Sequence, residues 1–557
     1  MKDFSLLFTA LCKQSFRFDR SKQTGKTKWY IFAVYGLLVL VCLPLLGLVA
    51  YLIYQLGALA ASADAVPGFL TCIFSAIQLV VLLFGIATVL NTIYFSKDNE
   101  MLLSYPVKPQ TVFAVKLTFA YVLELITNFV LSLFAVIPFA IGAGMPFSLG
   151  LVFSFFLVPV LPLLIATILA LPLMYVISYM KNKSVVSTVA LLVLVTLLFV
   201  AYFLVINSIS MAEESTDIEG IILAMVGQIN AIADIMLPNK FLALSMVGGP
   251  FETALLNFLY AFLIDAALVA FACLISALVY KRSVSRQLET PKSSAAKKQK
   301  YETGGKISMF IRKDFKEIIR YPALAFYCLF EIIIGPVVML VLGLNLGGMV
   351  TADIEEIGMS FAELMAQMPH IVALVLICFI TFFVFATNYT ATTAFTRENR
   401  NFYILKIIPM SYGKIIDAKA ILSFIVNEIG VVLMVALALA LIKVPLLSAL
   451  ITLVVCTVIG LVFSYAQVYM DLRNPRLNWD NISTGLKNNY ASLFSLLLSF
   501  ALIVVLIGLY WLFSLAGIEI MMYIYFVVVA LLSAVAAVYA RKVAVKNAAA
   551  MIENITL

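Results

Sequence analysis

Read for apolar and polar positions alone, the chain alternates between long apolar runs and short polar breaks. Most runs last about 20 residues or more, the length of a spanning helix. None shows the ten-residue alternation of a membrane barrel. Runs near 29–57, 68–94, 113–141, 149–178, 184–207 and 254–280 predict six spans, and 322–346, 369–394, 415–442, 446–470, 490–515 and 519–540 predict six more. Each set follows a polar stretch with helical apolar spacing, FSLLFTALCKQSFRFDR at 4–20 and ISMFIRKDFKEIIR at 307–320. Both are expected to lie in the interface as amphipathic helices. The fold class is therefore an all-α polytopic membrane protein of two parallel six-helix repeats, about 12 spans in all. The first half is 1–280 and the second 307–557. The Ser-, Lys- and Gly-rich stretch 281–306 cannot bury a core and reads as a flexible linker.

Composition narrows the function classes. Of 557 residues, 64% are hydrophobic and only 12% charged, against about a quarter charged in a soluble domain. The net charge of +8 follows the bilayer and does not point to nucleic acid: of 37 Lys and Arg, all but Lys240 and Lys443 fall on one side of the predicted topology. The positive-inside rule then puts both termini, the linker and the breaks at 95–116 and 395–419 in the cytoplasm of a multi-pass plasma-membrane protein. The segment 208–253 is expected to form short helices on the outer face. The seven cysteines form no CxxC pair, so small apolar packing accounts for them better than metal or redox chemistry. Gly25-Lys26-Thr27 and Gly304-Gly305-Lys306 both fail the phosphate-loop pattern GxxxxGK[ST]. No metalloprotease, nucleophile-elbow or Cys/His pattern occurs, and His370 is the single histidine. The chain reads as a protein without a catalytic site or directly bound cofactor.

One polar stretch occurs twice. Phe95, Ser96, Lys97, Asp98, Asn99 and Glu100 open the first copy, followed by Pro106 and Lys116; Phe395, Thr396, Arg397, Glu398, Asn399 and Arg400 open the second, followed by Pro409 and Lys419. In each, the lysine comes ten positions after the proline, and each copy lies between the second and third predicted spans of its half. A short charged helix held between two spans suits the transmission of a rigid-body push. Four acids lie inside apolar runs: Glu124, Asp265, Glu331 and Glu428. Such groups are costly in a bilayer and face a protein interior or a polar path.

FSKDNEMLLSYPVKP, FTRENRNFYILKIIPMS and DLRNPRLNWDN at 471–481 resemble the ABC-2-type, type V exporter-like permeases of Gram-positive bacteria, with features of the EcsB-like group. The resemblance covers both halves, although its motifs occupy few residues. It implies a membrane permease, an exporter of a peptide, lipid or amphiphile, with a coupling helix in each repeated stretch. It implies two copies of a separately encoded ABC ATPase as partners, supplying ATP and Mg from outside this chain, beside membrane lipids and an unidentified cargo. An ion-coupled secondary transporter and a non-transporting membrane regulator or scaffold are the alternatives.

Overall fold

The computed structural model describes residues 2–15, 29–94, 99–146, 148–177, 186–190, 236–247, 250–288, 305–350, 353–354, 359–477, 489–515 and 517–555, with a few single positions between them. They are almost wholly helical. The first helices are α1 (Lys2–Ser15), α2 (Trp29–Ser62), α3 (Val66–Val89, prolonged by a π turn at Leu90–Tyr94), α4 (Asn99–Ser104), α5 (Pro109–Gly142), α6 (Leu149–Leu157), α7 (Val160–Ile177), α8 (Leu237–Leu244) and α9 (Phe251–Leu288). There follow α10 (Lys306–Arg320), α11 (Pro322–Val350), α12 (Phe361–Gln367) and α13 (Pro369–Ile380, prolonged by a π turn at Thr381–Phe385). Next come α14 (Tyr389–Thr392), a 3-10 segment at Thr396–Tyr403 and α15 (Ile404–Ile407). The last are α16 (Tyr412–Leu437, prolonged to Ile442), α17 (Leu446–Arg473), α18 (Tyr490–Ser514) and α19 (Glu519–Asn554). Two two-residue strands, Asp353–Ile354 and Met359–Ser360, pair antiparallel.

Among the described residues, seven helices are long and apolar enough to cross a membrane, or eight if Pro369–Phe385 and Tyr389–Ile407 form one bent span. The chain is thus an all-α polytopic membrane protein, with fewer spans in view than the twelve expected. Much of the predicted run 184–207 lies outside the described residues. One other boundary differs: the sixth run does not stop at Lys281 but continues as helix to Leu288, through the first residues assigned to the linker. The fourth run stands as one span, Gly150–Ile177, with a local turn between α6 and α7 where Pro159 brings no N–H.

The chain divides into two compact units: Met1–Gly25, Cys42–Ala190 and Ala201–Ser293 in one, Lys26–Val41, Leu191–Val200 and Ser294–Leu557 in the other. In the first unit, Leu70, Phe74, Ile77 and Val81 recur on one face of α3 and pack with Val136 and Phe139 of α5, Leu242 of α8 and Ala261 of α9. That spacing is the i, i+4, i+7 stripe of a core-facing helix. Gln78 and Asn239 exchange two amide hydrogen bonds at 2.8 and 2.7 Å within this apolar core. Gln78 Nε2 also donates to the Val158 carbonyl at 3.0 Å, meeting an acceptor at the α6–α7 break that the helix ladder leaves open. A Cβ on Gly57 would strike the Phe139 carbonyl and one on Gly142 the Tyr54 carbonyl. Small residues here let the two backbones touch.

In the second unit, Ile377, Ile380 and Val384 meet Val431 and Met434 of α16, Ile459 and Phe463 of α17, and Tyr525 and Phe526 of α19. Outward positions such as Val504, Leu531 and Val535 stay apolar and more than 60% exposed. An apolar surface of that kind suits lipid rather than water.

Candidate functional site

The second polar stretch is built where the span beginning at Pro369 stops being helical. The carbonyls of Phe385 and Ala386 lose their ladder partners there. Gln467 Nε2 donates to Phe385 O at 2.7 Å, and Ser495 Oγ lies 3.1 and 3.0 Å from Phe385 O and Ala386 O. Asn388 then starts α14 by accepting from the Ala391 N–H at 2.9 Å, while its own amide donates to Ser423 and Asn427. Each polar group exposed by the break finds a side chain from another helix, as burial demands.

Asp471, at the end of α17, holds the next turn. Its carboxylate accepts from the Phe395 N–H at 2.6 Å, the Thr396 N–H at 3.0 Å, the Thr396 hydroxyl at 2.6 Å and the Asn489 amide at 2.8 Å. An acid capping the first amides of a helical segment satisfies donors that have no intrahelical partner. Trp479 Nε1 donates to the Thr396 carbonyl at 2.9 Å, and the Arg476 N–H to the Thr396 hydroxyl at 3.1 Å. Asn399 donates to the Trp479 carbonyl at 3.0 Å, from a backbone with φ 46° and ψ −129°.

A buried ion cluster lies beneath this turn. Lys419 is 2% exposed. Its ammonium donates to Glu398 Oε1 at 2.8 Å, Asp314 Oδ2 at 3.0 Å and the Ala394 carbonyl at 2.7 Å. The rings of Phe310 and Phe395 lie 5.5 and 5.1 Å from it. Lys313 reaches both oxygens of Glu398 at 2.9 Å and approaches Asp314 and Glu317 at 3.2 and 3.6 Å. Buried Arg397 donates to the Thr390 carbonyl at 2.8 Å and lies 3.6 Å from Cys328 Sγ. Two lysines thus pair with the acids Glu398 and Asp314, and buried Arg397 is met by a carbonyl instead, as burial requires if the charges are to persist. Burial by itself would raise Glu398, but Lys419 and Lys313 outweigh it and hold the carboxyl at about 2. Burial likewise opposes the charge on Lys313, and Asp314 and Glu398 more than reverse that, raising it.

The first copy repeats part of this plan. Lys116, 1% exposed, donates to Asn99 Oδ1. Asn99 in turn donates to the Ile93 and Tyr94 carbonyls at 3.0 and 2.9 Å, at the close of the π turn. Counted back from each proline, Leu102 and Leu405 occupy the same position and are both buried, while Met101 and Ile404, one position earlier, are both exposed. Phe95, Lys97 and Asp98 lie outside the described residues, as does the Glu100 side chain; Ser96 is half-buried.

Two charges of the second stretch, Arg397 and Glu398, are therefore internal. Phe395, Thr396, Arg397 and Glu398 are buried and Asn399 half-buried, while Arg400 and Pro409 are exposed, as is Pro106 in the first copy. Beside Arg400, Asn401 and Lys406, the exposed surface carries Tyr403, Ile404 and Ile407, with Ile407 71% exposed. Sequence reading passed over these three, along with Asp314, Lys313 and Asn489. Tyr403, Ile404 and Ile407 could have been found as apolar residues crowded into a polar break.

The intramembrane acids are dispersed. Buried Glu124 of α5 lies across from Gly85 of α3. Glu428 of α16 accepts from the Thr457 hydroxyl at 3.1 Å, and its enclosed Oε1 has no hydrogen-bond partner. Asp265 of α9 is buried with Oδ1 unpartnered. Glu331 lies in α11, its side chain outside the described residues.

A protein-family model described as "Putative ATP-binding cassette" matches residues 23–548. No curated protein and no solved structure matches the chain. The family description corrects two sequence expectations: a permease driven only by separately encoded ATPases, and a transport subunit with no catalytic site of its own. It attributes ATP and its magnesium to the family of this chain rather than to a partner. The expectation had rested on the missing phosphate-loop string, a pattern that reports one local backbone geometry. Among the described residues, Asp314, Glu317 and Glu398 bring carboxylate oxygens within 4.8 Å of one another, as a metal site would need. Lys313 and Lys419 already bond this group. With two ammonium groups already on the carboxylates, those residues do not fit a magnesium–nucleotide pair.

Proposed function

We propose, for a chain that belongs to this ATP-binding-cassette family, that it is a membrane-embedded transport component in which nucleotide-driven movement enters the helices through Thr396–Met410. The observation that carries the proposal is the Lys419 ammonium, bonded at once to Glu398 in the turn, Asp314 on α10 and the Ala394 carbonyl. A segment pinned in this way moves with α10 and α16 as one body, and interfaces of packed helices convert such displacement into a change of crossing. The exposed apolar face of Tyr403, Ile404 and Ile407 receives the push. We place that face in the cytoplasm from the distribution of basic residues. The second push point, Ser96–Pro109, the twelve-span count and the plasma membrane are parts of the same proposal.

The test uses the full chain in lipid nanodiscs with an environment-sensitive fluorophore on the exposed position Asn401→Cys. Magnesium and ATP are expected to shift its emission, and Lys419→Met to abolish the shift while the protein stays monodisperse. An emission unchanged by nucleotide, with the labelled chain folded, would overturn the proposal.

A further inference from the structure

The first unit holds a second constellation, apart from the polar stretches. Phe153, Phe156 and Leu157, from α6, and Phe258, Leu259 and Phe262, from α9, line an entirely apolar groove of about 590 Å³. The rings of Phe153 and Phe258 lie 5.2 Å apart between centroids, tilted by 47°. Along α9, Phe258, Phe262 and Asp265 follow the i, i+4, i+7 spacing of one helix face. Asp265 therefore lies one turn beyond the groove. It is 6% exposed, and its Oδ1 has no hydrogen-bond partner. Among the described residues no base forms an ion pair with it. Tyr121 of α5 donates its hydroxyl to the carbonyl of the groove residue Phe156 at 2.8 Å. That bond commits the phenol proton elsewhere.

A carboxyl in an apolar span is costly unless something answers it. Here the missing partner is a cation or hydrogen-bond donor, and the space beside it accepts only apolar matter. We propose that this groove binds an amphiphile with an amine headgroup, its chain along the phenylalanines and its ammonium at Asp265. Bilayer lipid of any headgroup could fill the apolar part. The carboxyl makes the site discriminate, because an ammonium brings both a hydrogen bond and a compensating charge, whereas a neutral hydroxyl brings a hydrogen bond alone. This deepens the transport reading by naming a cargo class. The assay below contains no nucleotide, so its failure leaves the energy-input proposal untouched.

The test reconstitutes the full chain in phosphatidylcholine nanodiscs with a photoactivatable twelve-carbon alkylamine, or the matching alcohol, as probe. The amine is expected to label peptides spanning 149–157 and 251–262, with at least about tenfold stronger competition by unlabelled amine than by unlabelled alcohol. Asp265→Asn should remove that preference while keeping the alcohol's labelling, and Asp265→Glu should retain it. Phe262→Trp, which fills the groove, should lower labelling by both probes. Equal labelling by amine and alcohol in the wild type, or a preference that survives Asp265→Asn, would overturn the proposal and leave a groove for lipid chains only. Near-normal elution of each variant on size exclusion shows that it has folded.

Discussion

The ammonium of Lys419 lies 2.8 Å from Glu398 Oε1, across 21 residues of chain, with both side chains at most 5% exposed. The pair closes the segment Glu398–Lys419 into a loop, and each member has a second charged partner, Lys313 on Glu398 and Asp314 on Lys419. Removing one member of a buried pair typically costs about 3–5 kcal/mol, because the other charge stays behind. Lys419→Met should therefore lower the thermal stability of the detergent-solubilised chain sharply, and Lys419→Met with Glu398→Gln should recover part of the loss. A double variant no better than the single one would show that the pair is not the origin of the cost.

Asp471 gives a test that does not depend on the lysines. All four of its hydrogen-bond partners are donors. In Asp471→Asn, either orientation of the amide turns its NH2 toward backbone N–H groups or toward the Thr396 hydroxyl and the Asn489 amide. Unsatisfied buried groups cost about 1–3 kcal/mol each. Asn is thus expected to destabilise nearly as much as Ala. Differential scanning fluorimetry of the three proteins decides this, and a near-neutral Asn variant would contradict the geometry.

The pH dependence follows from Glu398. Its carboxyl is lowered in the folded chain from 4.5 to about 2, so the stability it contributes is complete above 4.5 and is lost as pH falls through about 2. Glu317 acts in the opposite sense: burial, then the neighbouring Glu398 charge, raises it. The melting temperature of wild type minus that of Glu398→Gln should shrink steadily across this acid window. A difference that is constant with pH would mean the carboxylate is not ionised in the fold.

Asn399 separates backbone strain from hydrogen bonding. A non-glycine residue at φ 46° stores about 1–3 kcal/mol, while its bond to the Trp479 carbonyl returns about 1 kcal/mol. Asn399→Gly, which relieves the strain and loses the bond, is expected to be near neutral or stabilising. Asn399→Ala, which keeps the strain and loses the bond, should destabilise by about 1–2 kcal/mol. Thermal melts that rank Ala above Gly would reverse the assignment.

In the first unit, the close crossing of α2 and α5 depends on Gly57 and Gly142. A methyl at Gly142 meets a backbone carbonyl, which cannot rotate away, so the helices must separate. Gly142→Ala is expected to cost about 1–3 kcal/mol, the usual range for overpacking. Gly144, at φ 62° with open space around it, gives a contrasting control. Its Ala variant should be strained locally without parting the helices, which a disulfide cross-link between the two helices would distinguish.

The sequence by itself determined the helical membrane class, the amphipathic helix at Lys306–Arg320, the start of the last helix at Glu519 and the repeated lysine ten positions after each proline. These depend on period, length and spacing, all of which are local. It left the role of that lysine open, because Lys419 meets Asp314 at a separation of 105 positions and no periodicity encodes a partner. It missed the break at Phe385, where Gln467 and Ser495 arrive from other helices to meet the freed carbonyls; at the proline-bearing turn by Val158, Gln78 does the same. Burial within the repeated stretch was likewise decided by tertiary packing: Arg397 and Glu398 are inside, where hydrogen-bond and charge partners from other elements meet them, while Arg400, Tyr403, Ile404 and Ile407 are exposed.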